Sequence, residues 1–272
     1  MATKFAITLI SPKTVRRLGV IGFAFAFVAL LLLPVFGTDY GKGATRWFSL
    51  GFGSIQPSEF LKPGFIIVGG WMIAASNEVA GPPGKTYSFG IAAFIVLLLA
   101  LQPDFGQACL VLFSWGVMYF VGGAPFVVLG AIAGLAVLFG AFAYQNSEHF
   151  ARRIDGFLSA EVDPTTQLGY AANAIREGGF LGVGVGEGTV KWSLPDAHTD
   201  FIIAVAAEEY GLILVLVIIL LYLTIVLRSL FRLMRERDPF IRLAGTGLAC
   251  TFAVQAMINM SVAVRLLPAK GM

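Results

Sequence analysis

The chain has 272 residues, of which 57% are hydrophobic and only 13% charged, with a formal net charge of +3 and a mean hydropathy of +0.83. That balance excludes a soluble globular or disordered chain and predicts a polytopic membrane protein. Two cysteines, Cys109 and Cys250, lie inside apolar runs and give neither disulfide nor metal spacing, so they read as packing residues.

Seven apolar runs follow in order, at 18–36, 60–75, 88–101, 105–121, 125–144, 201–227 and 240–264. Most approach the roughly 20 residues that a spanning helix needs. The expected fold is all-α: a polytopic helical membrane protein of about seven transmembrane helices. It forms one membrane domain over 1–272, with a large extracytoplasmic loop at 145–200. The first run is too long for a cleavable signal and lacks a small-residue cleavage site, so it is expected to stay as a span. The run at 88–101 is short and ends at Gln102-Pro103-Asp104, which predicts a helix that stops below the surface with its broken end lining a cavity.

Basic residues set the orientation. Lys4, Lys13, Arg16 and Arg17 precede the first run, and Arg228, Arg232, Arg235, Arg237 and Arg242 surround the connection before the last, so both segments are expected in the cytoplasm. Six spans lie between them, an even number, and the parity agrees. The segment 145–199 is then outside. Topology explains the positive charge, and no nucleic acid is needed as a partner.

Two outer segments, 37–59 and 145–200, carry most of the polar residues. In the first, Pro57 and Ser58 read as a helix start with Ser58 as N-cap, and Glu59 and Lys62 fall three apart on one helical face, where they can pair. The second is too long for an idle connection. Within it 170–177 has helical character, and Gly178, Gly179, Gly182, Gly184, Gly186 and Gly188 then break regular structure. Such a run could wall a diphosphate on a lipid or pack a loop closely against helices. It lacks the Gly-Lys-Ser/Thr ending of a nucleotide-binding loop.

Lys42, Arg46, Arg152, Arg153 and Lys191 supply outer-face cations of the kind that answer a pyrophosphate or anchor at a lipid interface. Asp104 stands at the expected helix break. His198, with no second histidine or cysteine near it, reads as a loop hydrogen-bonding residue, not a zinc ligand. Asp200 follows Thr199 at the head of an apolar run, where a helix N-terminus helps keep a carboxylate ionised. Such a carboxylate suits general-base catalysis on a hydroxyl, the alternative being a simple helix cap.

Several ordered stretches carry a resemblance: Lys42-Gly43-Ala44-Thr45-Arg46-Trp47, Gln56-Pro57-Ser58-Glu59-Phe60, Gln102-Pro103-Asp104-Phe105-Gly106, 153–158, 174–188, 194–211, Asn259-Met260 and Leu267-Pro268-Ala269-Lys270-Gly271. On these the chain resembles the SEDS family of shape, elongation, division and sporulation proteins, with Lys42-Gly43-Ala44 and the Leu-Pro-Ala-Lys-Gly-Met ending favouring the division branch. The resemblance implies a peptidoglycan glycosyltransferase of the bacterial cytoplasmic membrane, working at its outer face at the division septum. It would join lipid II units with undecaprenyl pyrophosphate as leaving group. Asp200 matches the family's essential aspartate and would be the general base. Lys42, Arg46, Arg153 and Lys191 are candidates for the leaving diphosphate, with Glu59, Lys62, Asp104, His198 and Thr199 around the substrate. A divalent cation, Mg or Mn, is an optional assistant, with no ligand set to prove it. The implied partners are a class B penicillin-binding transpeptidase and other divisome proteins.

Family members resemble ten-span proteins, and on that pattern this chain is expected to lack two leading spans and the final one. Two other functions compete: a lipid-precursor flippase, and a non-catalytic division scaffold or inactive fragment. The gathering of charged residues on one side favours the enzyme over a transporter, whose site lies near the midplane.

Overall fold

The structure is a computed structural model, and it describes residues 10–38, 45–49, 51, 53–146, 148, 151, 154–155, 166–194, 197 and 201–264. The order of elements is α1 (Pro12–Phe36), β1 (Phe48–Ser49), β2 (Ser54–Ile55), α2 (Pro57–Ala75), α3 (Gly84–Leu101), α4 (Phe105–Val121), α5 (Phe126–Asn146), α6 (Gln167–Gly178), a 3-10 turn (Val190–Trp192), α7 (Ile202–Met234) and α8 (Pro239–Ala263). A helix stands at each of the seven apolar runs, as expected. Among the described residues, five of these helices are long and apolar enough to cross a membrane, and Phe105–Val121 is a shorter apolar helix. α2 differs from the others because Glu59 lies in its first turn and most of its length is buried.

The chain divides into two compact units, one of Met1–Ile132 and Ser229–Thr251, the other of Ala133–Arg228 and Phe252–Lys270. In the first unit α1 starts cleanly: Ser11 Oγ accepts from the Thr14 amide, and Pro12 occupies the first turn, where its missing N–H costs nothing. α1 packs along α2. An added Cβ at Gly64 of α2 would lie 2.9 Å from the Phe23 backbone, and one at Gly70 would lie 3.0 Å from the Ala244 amide of α8. Small residues let helix backbones approach closely where no hydrophobic effect drives them together. Leu30, Leu33, Leu61, Phe65, Ile73, Ile95, Leu99, Trp115 and Met118 fill the core around them. Trp115 Nε1 donates to Ser88 Oγ at 2.8 Å, which satisfies both polar groups inside it.

The two basic segments expected on one side of the membrane meet in this unit, where the Arg16 guanidinium lies 4.3 Å over the Phe240 ring. In the second unit Ala171, Ala174, Leu194, Ala197, Phe201, Ala204 and Val262 form a small core of α6, the segment before α7, and α7 and α8 themselves. α5 buries little of its apolar surface, as suits a helix whose surroundings are lipid.

Two expectations need correction. α3 begins at Gly84, four residues before the apolar run, and so reaches 18 residues. Its end is held by side chains: Gln102 Nε2 donates to the Leu30 carbonyl at 3.1 Å, and Arg46 caps the turn that follows. Ser58 is not the cap of α2. Gln56 holds that position without a side-chain bond to the helix's own amides, and the Ser58 hydroxyl is buried inside the helix with no partner among the described residues.

Candidate functional site

A polar cluster gathers where the N-terminus of α2 meets the α3–α4 corner. Lys62 Nζ donates to Glu59 Oε2 at 2.7 Å and to Gln107 Oε1 at 2.7 Å. Gln107 Nε2 in turn donates to Glu59 Oε1 at 2.6 Å. The three side chains close a ring, so each charged group answers a partner in a setting where an unanswered charge is costly. Beside the ring, Gln56 Nε2 donates to Asp104 Oδ2 at 3.1 Å. Burial pushes the Asp104 carboxyl above its usual range, and the nearby Arg46 charge pulls it back only in part. Arg46 is itself buried. Its Nε donates to the Gln102 carbonyl at 3.2 Å and a terminal nitrogen donates to the Pro103 carbonyl at 2.8 Å.

A second construction joins the glycine run to α7. At Gly211 the helix is broken, with φ +80° and ψ 175°, and the neighbouring backbone groups bond to the loop. The amides of Val183 and Gly184 donate to the Glu208 and Glu209 carbonyls at 2.9 and 3.2 Å, and those of Leu212 and Ile213 donate to the Gly179 and Phe180 carbonyls at 2.9 and 3.3 Å. This closes the polar accounting of a broken span. Glycine is required for the approach: a Cβ at Gly178 would strike the Ala207 carbonyl, at Gly182 the Glu209 carbonyl and at Gly211 the Phe180 carbonyl. The fully buried Glu208 carboxylate accepts from the amides of Val190 at 2.8 Å and Lys191 at 3.1 Å. The Lys191 ammonium pairs with the Glu209 carboxylate and donates to the Gly186 carbonyl at 3.2 Å. Of the two uses open to the glycine run, close packing is the one seen.

Of the expected site residues, Arg46, Glu59, Lys62 and Asp104 come together in the first unit. Lys191 belongs to the second. Lys42, Arg153, His198, Thr199 and Asp200 lie outside the described residues. Gln107, Gln102 and Gln56 complete the first cluster and escaped the sequence reading, although Gln102 and Gln56 sit in the same motifs as Asp104 and Glu59. Glu208, near the head of the apolar run at 201–227, is a further buried acid in the second unit. Among the described residues no three or more metal-ligating side chains gather, and the acids of both clusters face amides or ammonium groups, so they do not fit a divalent cation.

Among the described residues, five helices long and apolar enough to cross a membrane, one of them broken at Gly211, define a multi-pass membrane protein. Comparison with known proteins carries this further: the family model described as "Cell cycle protein", covering FtsW, RodA and SpoVE, matches residues 1–272. The chain belongs to that family. It is 38% identical over 265 residues, covering 97% of itself and 68% of the other, to a Caulobacter vibrioides protein named "Probable peptidoglycan glycosyltransferase FtsW". A Geobacter metallireducens protein of the same name is 37% identical over 257 residues, covering 89% of this chain and 67% of its own length. The chain thus spans about two thirds of the length of these curated relatives. Among solved structures, a peptidoglycan synthase complex that coordinates polymerization and crosslinking matches with TM-score 0.76 and 26% identity, over 98% of this chain and 76% of the other. The rod shape determining protein RodA of Thermus thermophilus matches with TM-score 0.63 and 24% identity, over 98% and 73%, and shares the fold.

Proposed function

We propose that this protein is a peptidoglycan glycosyltransferase that polymerises lipid II into glycan strands during cell division. The observation that carries the reading is the family match over 1–272 together with relatives named for that activity. Asp200 is the general base. It takes the proton of the acceptor sugar's 4-hydroxyl as that oxygen attacks the donor's anomeric carbon. The bond from that carbon to the diphosphate oxygen breaks, undecaprenyl pyrophosphate leaves with the bonding pair, and the anomeric centre inverts. General-base help of this kind contributes about 10²- to 10⁴-fold. Arg46 is bonded to backbone carbonyls and Lys191 is paired with Glu209, so Lys42 and Arg153 are assigned to the leaving diphosphate. His198 and Thr199 adjoin the base in sequence and are assigned to the acceptor sugar. The reaction is placed at the outer face of the cytoplasmic membrane, at the division septum, beside a class B penicillin-binding transpeptidase and other divisome proteins.

A flippase would use a broken span to expose backbone groups to its cargo. At Gly211 those groups are bonded to the glycine loop instead, which favours the enzyme.

The deciding experiment is lipid II polymerisation by the purified protein with its penicillin-binding partner, comparing wild type with Asp200→Asn. Strands from wild type and at least 10²-fold fewer from the variant are expected. Equal yields would remove Asp200 from the mechanism, and lipid II movement across vesicles without strands would favour the flippase.

A further inference from the structure

Glu208 has no part in the chemistry proposed above, yet it is fully buried and bonded through both its main chain and its side chain. Its carbonyl accepts from Val183. Its two carboxyl oxygens accept from the Val190 amide at 2.8 Å and the Lys191 amide at 3.1 Å, so each is held by a separate backbone donor. The carboxylate lies flat against Gly188, where an added Cβ would stand 2.8 Å from Glu208 Cδ and 3.0 Å from each oxygen. In sequence, Lys191 precedes Asp200 by nine residues and Glu208 follows it by eight. One carboxylate therefore ties the two ends of the segment that contains Asp200. Within that segment Leu194, Ala197 and Phe201 are packed into the small core of this unit.

We propose that Glu208 is a positioning residue: it clasps the Val190–Trp192 turn to the first half of α7 and so fixes the ends of the segment bearing Asp200. The role in catalysis rests on the glycosyltransferase reading, whereas the clasp rests on geometry alone. A general base works only within hydrogen-bond reach of its proton, and a misplacement of about 1 Å costs on the order of 10²-fold. Glutamate is required because both oxygens accept from amides. Glutamine would turn an NH₂ group toward one of the two donors.

The test pairs hydrogen exchange without substrate with polymerisation kinetics, on the full protein with its partner. For Glu208→Gln, amides in 190–201 are expected to exchange at least about tenfold faster while the rest of α7 is unchanged. kcat falls about 10- to 100-fold with KM for lipid II within about twofold. Gly188→Ala, which displaces the carboxylate without altering it, gives the same pattern and serves if Glu208→Gln does not fold. Unchanged exchange at 190–201 overturns the clasp. Faster exchange spread over the whole unit, with kcat and KM both degraded, overturns positioning in favour of a general structural role. Wild type that exchanges as expected but makes no strands overturns the glycosyltransferase reading and the catalytic role of Glu208 with it, and leaves the clasp standing.

Discussion

Lys62 and Glu59 form one ion pair with unequal surroundings: the lysine side chain is 3% exposed and the glutamate 37%. Removing the glutamate takes the carboxylate from a nearly sealed ammonium, whereas removing the lysine leaves a carboxylate that water can reach. Glu59→Ala is expected to cost about 3 kcal/mol, at the low end for breaking a buried pair. Lys62→Met should cost only about 1 kcal/mol because solvent screens what remains. Thermal unfolding in detergent checks the order, and a larger loss for Lys62→Met would contradict it. Asp104 adds a pH dependence. Its carboxyl is held above the ordinary value of 3.8, by burial first and against the pull of Arg46. A carboxyl with a higher pKa folded than unfolded holds its proton more tightly when folded, so its contribution is full below the unfolded value and is lost as pH rises through the folded one. Asp104→Asn should therefore raise the Tm relative to wild type at pH 8, and that gain should vanish as the pH is lowered toward 4. At this scale the Glu59–Lys62 pair was legible because helical spacing alone sets it. Gln107 was not, since it reaches the pair from 45 residues away, and the partners of Arg46 are backbone carbonyls that no side-chain pattern announces.

At the scale of elements, the decisive object is α7 and the loop bonded to its break. The apolar run at 201–227 read as one continuous helix, because a lone glycine in such a run is tolerated and carries no sign of its own. Gly178–Gly188 was legible as a breaker. That it packs onto 208–213 was not, since the exchange of backbone bonds depends on tertiary approach. Glycines here and elsewhere should behave oppositely. Gly211→Ala meets both a positive φ and the Phe180 carbonyl, and Gly178→Ala meets the Ala207 carbonyl. Each should destabilise by about 2–4 kcal/mol through overpacking and, at Gly211, backbone strain. Gly134 and Gly140 in α5 have open space where a Cβ would go, so alanine there should be neutral or stabilising by up to about 1 kcal/mol, from helix propensity alone. Chemical or thermal unfolding of the four variants separates the two classes.

For the whole molecule, hydropathy located every long helix because lipid imposes the same demand on each, while α2 needed the structure to show that its Lys62 is buried by neighbours. The side of the membrane on which each segment lies is an expectation from charge and parity. Arg16 and Phe240 in contact put the first basic segment beside the connection at 235–238, which agrees with both lying on one side. With an even number of spans between them, the glycine run is expected on the opposite side, with the 145–200 loop and therefore Asp200. In a Cys109→Ser, Cys250→Ser background, Val185→Cys, an exposed position of the glycine run, should react with a membrane-impermeant maleimide in right-side-out spheroplasts. Arg235→Cys should react only after permeabilisation. If Arg235→Cys were labelled from outside, or Val185→Cys only from within, the orientation would be inverted. The segment bearing Asp200 would then face the cytoplasm, where a base for strand synthesis at the outer surface has no substrate to act on.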